Sequence, residues 1–146
     1  MPIPNSTVIE LLKNAKKLEP DQLSALETEA TNDKANLEEL VVQKNITTEI
    51  ELVQLFAEEI GVPFVELNPK EINKETLKQL PENIAKLYNM IVFDGDIEDE
   101  TQPKHVAMAD PDDLQAIDVL HKLFGQNIKL FIATRFNIMA ALDLYR

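Results

Sequence analysis

The sequence predicts an α+β protein in which short N-terminal helix hairpins precede a three-stranded sheet packed with helices. Three observations carry this. Through residues 1–60 apolar side chains recur at helical spacing with almost no strand signal. From residue 89 the apolar period falls to two. Prolines, capping residues and the three glycines mark the breaks between segments.

In chain order, "STVIELLKNAKKL" places Val8, Leu11, Leu12 and Ala15 on one helix face, with Ser6 or Thr7 as N-cap. "EPDQLSALETEATN" opens a second helix with Pro20 in its first turn, and "KANLEELVVQKN" gives a third. "TTEIELVQLFAEEIG" gives a fourth, capped by Thr47 or Thr48 and closed by Gly61. The four helices form two similar pairs, the second about one residue shorter at its break. "GVPFVELNP" is extended, with Pro63 and Pro69 opposing helix. "KETLKQL" and "PENIAKLYNM" return to helix, Pro81 falling in the first turn of the latter.

Strands are then predicted over Met90–Phe93 and His105–Ala109, joined by an acidic loop, and over "NIKLFIAT". Between the last two lies a helix from about Asp112, with Leu114, Ile117, Leu120, Leu123 and Phe124 inward. Thr134 caps a final helix, "RFNIMAALDLY". The organisation expected is a helical subdomain of two helix-pair repeats over 1–60, an extended linker over 61–69, and an α/β sandwich subdomain over 70–146. A crossover between the second and third strands is right-handed if they run parallel.

Composition narrows the function. A net charge of −12 in 146 residues, without a basic patch, opposes binding to nucleic acid. The absence of cysteine removes thiol chemistry and Cys-ligated zinc. No apolar run is long enough to span a bilayer and the N-terminus lacks a signal-peptide pattern, so a cytoplasmic chain without direct membrane insertion is expected.

The acidic stretches read as structure. In "ADPDD", Asp110 is expected to cap the helix, with Pro111 at its first position and Asp112 and Asp113 in its first turn, where the helix dipole favours negative charge. Asp118 faces outward, in reach of His121. The acids from Asp94 to Glu100 fail the EF-hand pattern, because Gly95 directly follows the first Asp and no Glu stands at the right offset. They read as a solvated hairpin loop. His105 and His121 have no companions at metal-ligand spacing and no nucleophile in an elbow motif. Three glycines, at 61, 95 and 125, build no phosphate-binding loop. The chain reads as a non-enzyme with no catalytic, metal or cofactor residue.

The residues also carry a resemblance. "HVAMADPDDLQAIDVLHKLFGQNIKLFIATRFNIMAALDLYR" resembles the N-terminal domain of the type II secretion and type IV pilus assembly ATPases, through Val106, Ala107, Met108, Asp110, Pro111, Asp112, Ile138, Ala141 and Tyr145. Gly61, Pro63, Val65 and Leu67, and the segment "LPENIAKLYNMIVF", are similar to earlier stretches of the same family. The resemblance implies a non-catalytic module that docks a motor onto the cytoplasmic part of an inner-membrane platform protein, and a location peripheral to that membrane through the partner. Phe64 and Phe136, large side chains near element ends, are the candidate partner-binding residues. Alternatives are a cyclic di-GMP-binding regulatory domain and a stand-alone adaptor. Family members that bind cyclic di-GMP do so through an Arg-Leu-Gly start and a later Gly in each helical copy. Here Thr7, Val8 and Ile9 stand at the first start and Lys16 at the later Gly; Asn36, Leu37 and Glu38, with Asn45, stand in the second copy. With the guanidinium and the glycine both missing, cyclic di-GMP is not expected as a partner.

Overall fold

A computed structural model describes residues 3–32, 34–96 and 98–146. The chain divides into two compact units, Met1–Ile60 and Gly61–Arg146. The first contains α1 (Asn5–Asn14), α2 (Pro20–Glu29), α3 (Leu37–Gln43) and α4 (Glu49–Ile60). The second contains α5 (Lys74–Leu77), α6 (Glu82–Tyr88), β1 (Met90–Asp94), β2 (Lys104–Met108), α7 (Leu114–Phe124), β3 (Ile128–Ile132) and α8 (Arg135–Leu142). The α+β class is as the sequence predicts.

In the first unit α1 packs against α2, α3 and α4. Val8, Leu11 and Leu12 of α1 are buried, as are Leu26, Leu37, Val41, Leu52, Val53 and Phe56. The two helix pairs are built alike. Glu19 and Gln22 form a reciprocal capping box at the start of α2. At the start of α4 the Thr48 hydroxyl accepts from the Glu51 N–H at 3.1 Å and donates to the Glu51 carboxylate at 3.0 Å, an N-cap closed through the hydroxyl. Ser6 and Thr7 do not cap α1, which starts a turn earlier after Pro4. Its first residue, Asn5, is engaged elsewhere: its amide donates to Ala35 O at 2.9 Å and its oxygen accepts from Leu37 N at 3.1 Å, joining the starts of α1 and α3.

The sheet of the second unit has the order β1-β2-β3, with β1 and β2 antiparallel and β2 and β3 parallel. Central β2 pairs on both sides, so Val106, Ala107 and Met108 are wholly buried, opposite Met90, Ile91 and Val92. α5, α6 and α8 pack against β1 and α7 against β3. The stretch read as a linker is extended but tied to the sheet: Phe64 bridges Ile132 in parallel, Val65 N donates to Ile132 O, and Ile132 N donates to Pro63 O, each at 2.9 Å. Asn137 of α8 clamps the same stretch, donating to Leu67 O at 2.9 Å and accepting from Leu67 N.

Three sequence expectations for α7 fail. Asp110 Oδ1 accepts from Asp112 N at 3.0 Å, a local turn that keeps this segment out of the helix, and the cap is Asp113, whose carboxylate accepts from Ala116 N at 3.1 Å. The buried stripe also differs from the one expected. Ala116 and Leu120 are buried with Ile117 and Phe124 beside the core, whereas Leu114 is 78% exposed and Leu123 is also exposed. Asp118 pairs with Lys122 at 3.0 Å, one turn on, rather than with His121.

Tyr145 closes the unit. Its hydroxyl sits 2.7 Å from Leu80 O and 3.1 Å from Leu77 O, carbonyls at the end of α5 and just before α6. Burial, with a contribution from Glu82, pushes the phenol up to about 12. Tyr145→Phe removes the hydroxyl that donates to Leu80 O, while Leu77 O keeps the Leu80 N–H; it is expected to cost about 1–2 kcal/mol, read as a lower urea midpoint at unchanged slope. An unchanged midpoint contradicts this role.

Candidate functional site

The candidate site is the pair of turns that end α1 and α3. In the first, the N–H of Lys16 donates to Lys13 O and that of Lys17 to Leu12 O. In the second, the N–H of Asn45 donates to Val42 O and that of Ile46 to Val41 O, all between 2.9 and 3.1 Å. These are paired Schellman turns, and both require a left-handed residue: Lys16 at φ 57° and Asn45 at φ 59°. The next helix begins at Pro20 in one copy and Glu49 in the other, the same distance beyond the turn, so the breaks are equal in length and the second is not shorter.

The side chains around the turns are polar and largely exposed. Lys13 and Lys16 extend into solvent, as does Lys44 beside the second turn. Lys17 Nζ meets Glu51 Oε2 at 2.6 Å, joining the first turn to the start of α4. That ammonium, helped by the Thr48 hydroxyl, holds the Glu51 carboxyl below its ordinary value of 4.5. Thr7 shares a cleft of about 230 Å³ with Ser6, Glu10, Leu11, Asn14 and Glu59. Asn36 is occupied as the cap of α3, accepting from Glu39 N at 3.2 Å.

The other residues singled out by sequence fall elsewhere. Phe136 is 77% exposed on α8, on the same face as Met139, which is 63% exposed. Phe64 is half-buried on the β3 edge, so the structure does not bring the two phenylalanines together in a described contact. His105 stands in an aromatic cluster, its ring 5.9 Å from Phe93 and 5.2 Å from Phe131, with Asp94 at 3.6 Å. Asp94, Asp96 and Asp99 each accept from a nearby backbone N–H, the pattern of a hairpin loop folding on itself. Among the described residues no cluster of three His, Asp or Glu side chains could hold a metal ion, and no helix is long and apolar enough to cross a membrane.

Residues 60–146 match the MshEN domain. The chain belongs to the MshEN domain family. The MshEN chain is 24% identical over 137 residues to the type IV pilus assembly ATPase PilB of Myxococcus xanthus (strain DK1622), covering 93% of its own length and 23% of that protein. Its fold matches the N-terminal domain of XpsE with a TM-score of 0.62 at 18% identity, covering 99% of this chain and 96% of that one. It matches MshE solved with cdg (cyclic di-GMP) with a TM-score of 0.72 at 19% identity, covering 95% of this chain and 98% of that one. The resemblance to assembly-ATPase N-terminal domains is thus borne out. The expectation that set cyclic di-GMP aside is corrected: a chain of this fold was solved with that ligand. Lys16 and Asn45 adopt the left-handed backbone without a glycine. Equal spacing of the two helix starts, at Pro20 and Glu49, from the turns is the sequence signal that marks them.

Replacing Lys17 by alanine removes the main cause of the Glu51 shift. Because the folded carboxyl titrates below its ordinary value, its contribution to stability is present above pH 4.5 and is lost as pH falls through the folded value. In Lys17→Ala the Glu51 carboxyl is expected to titrate closer to the ordinary range, followed by side-chain carbon NMR; an unmoved titration contradicts the assignment.

Proposed function

We propose that this chain is a regulatory N-terminal module of a type IV pilus or type II secretion assembly ATPase, and that its helical repeats bind cyclic di-GMP. The observation that carries the reading is the pair of left-handed turns at Lys16 and Asn45, the positions at which the family resemblance places glycine. The fold shared with MshE, solved with that ligand, supports it. The left-handed turns reverse the chain at equivalent places in the two copies, and Lys13 and Lys16 beside the first supply cations for the phosphates. Thr7 and Asn36 replace the arginines, so guanine is held by neutral hydrogen bonds rather than by guanidinium, and affinity is lower for it. On this reading ATP hydrolysis belongs to a motor outside these residues.

Isothermal titration of the chain with cyclic di-GMP is expected to give saturable heat at micromolar ligand, and Lys16→Glu to weaken it by about tenfold, the scale of one lost charge-assisted contact. Absence of heat at millimolar ligand overturns the reading.

A second reading is favoured by the exposed pair Phe136 and Met139: docking onto the cytoplasmic part of an inner-membrane platform protein through α8, with Phe64 as the other candidate contact. Phe136→Ala is expected to reduce capture of that platform domain without changing the cyclic di-GMP heat. Undiminished capture contradicts it.

A further inference from the structure

The two helix-pair copies differ in a charged contact at the first turn. Setting Lys16 on Asn45, the two left-handed residues, places Lys17 on Ile46, Glu19 on Thr48 and Gln22 on Glu51. Gln22 and Glu51 thus hold the same place, the third residue of α2 and of α4. A helix start of this kind does not require a charge there: Gln22 accepts from the Glu19 N–H at 2.9 Å as a neutral amide. Glu51 carries a carboxylate instead, in a copy where Ile46 stands in place of the lysine. Its cation comes from the other copy, Lys17 Nζ lying 2.6 Å from Glu51 Oε2.

The carboxylate is fixed and the lysine reaches to it. Glu51 Oε1 accepts from the Thr48 hydroxyl at 3.0 Å, and the Glu51 N–H donates to that same hydroxyl oxygen at 3.1 Å. The first turn of α4 also favours negative charge. Lys17 starts from the turn itself, its N–H donating to Leu12 O, and its stem carries the ammonium to α4. Lys13, Lys16 and Lys44 stand exposed, and among the described residues none of them forms an ion pair. Of these four lysines, Lys17 alone is neutralised within the chain. Its side chain is 31% exposed and that of Glu51 44%. An ion pair so open to water is weak enough to exchange one anion for another.

We propose that Glu51 is a built-in competitor for the ligand's phosphate: it holds the Lys17 ammonium, yields it to the phosphate, and so sets the affinity of the paired turns. The inference rests on the cyclic di-GMP reading and names the residue that tunes it. A ligand that displaces an internal anion binds more weakly, in proportion to the fraction of chains in which Lys17 is free.

The test is isothermal titration of the full chain with cyclic di-GMP, comparing wild type with Glu51→Gln, Glu49→Gln and Lys17→Met. Glu51→Gln gives α4 the third residue that α2 already has, so the fold is kept. It is expected to tighten binding about three- to fivefold, the range set by one exposed ion pair. Glu49→Gln removes a charge from the same turn that is not paired with Lys17, and is expected to leave affinity little changed. In the Lys17→Met background, Glu51→Gln is expected to bring no gain. Heat that is present but unaltered by Glu51→Gln overturns the inference and leaves the cyclic di-GMP reading standing. So does equal tightening by Glu49→Gln, which marks general charge repulsion, or a full gain without Lys17. Heat absent from wild type and every variant overturns the cyclic di-GMP reading itself, and the inference with it.

Discussion

The constraint on which the fold depends is where the backbone turns left-handed. Among the described residues, five of the α-helices end at such a residue: Lys16 after α1, Asn45 after α3, Gly61 after α4, Asn89 after α6 and Gly125 after α7. After α1, α3, α6 and α7 the stop redirects the chain to the next element of the same unit, and Gly61 marks the start of the second unit. At Gly61 and Gly125 the conformation is cheap. At Lys16 it costs about 1–2 kcal/mol against a residue without a Cβ, and asparagine tolerates it better. The Schellman hydrogen bonds and the burial of Leu12 and Val41, the helix residues whose carbonyls close the turns, offset that cost.

The residues that carry the family resemblance do different work. Ala107, Met108, Ile138 and Ala141 are wholly buried, Pro111 is buried after β2, Pro63 and Val65 pin the extended stretch to β3, and Tyr145 bridges to Leu77 and Leu80. They specify the α/β scaffold. The family match accordingly runs over 60–146 and does not extend over the helical unit. The residues that carry the family pattern are thus largely core packing of the second unit.

Most elements were legible because their signals are local. Thr134 caps α8 by accepting from Asn137 N, Thr48 caps α4, and the period-two runs become β1, β2 and β3. The misses come from interactions that spacing does not encode. Asn5 is diverted to the start of α3, the Asp110 turn delays α7, Leu114 and Leu123 face outward, and Lys122 captures Asp118 before His121 can. The edge pairing of Phe64 with Ile132 is a long-range contact with no local signature. Of the candidate site, Lys16 and Asn45 were legible as the two substituted glycine positions, but their backbone was not. A residue's identity reports the cost of a left-handed conformation, and tertiary packing decides whether it is met.

The central claim is that the paired turns form the ligand site. Its most direct test is an amide NMR titration of the chain with cyclic di-GMP, resolved by residue. The account predicts shifts clustered at Lys16, Lys17, Asn45 and Ile46 and in the first turns of α1 and α3, saturating together. Shifts confined to residues 61–146, or none at saturating ligand, contradict it.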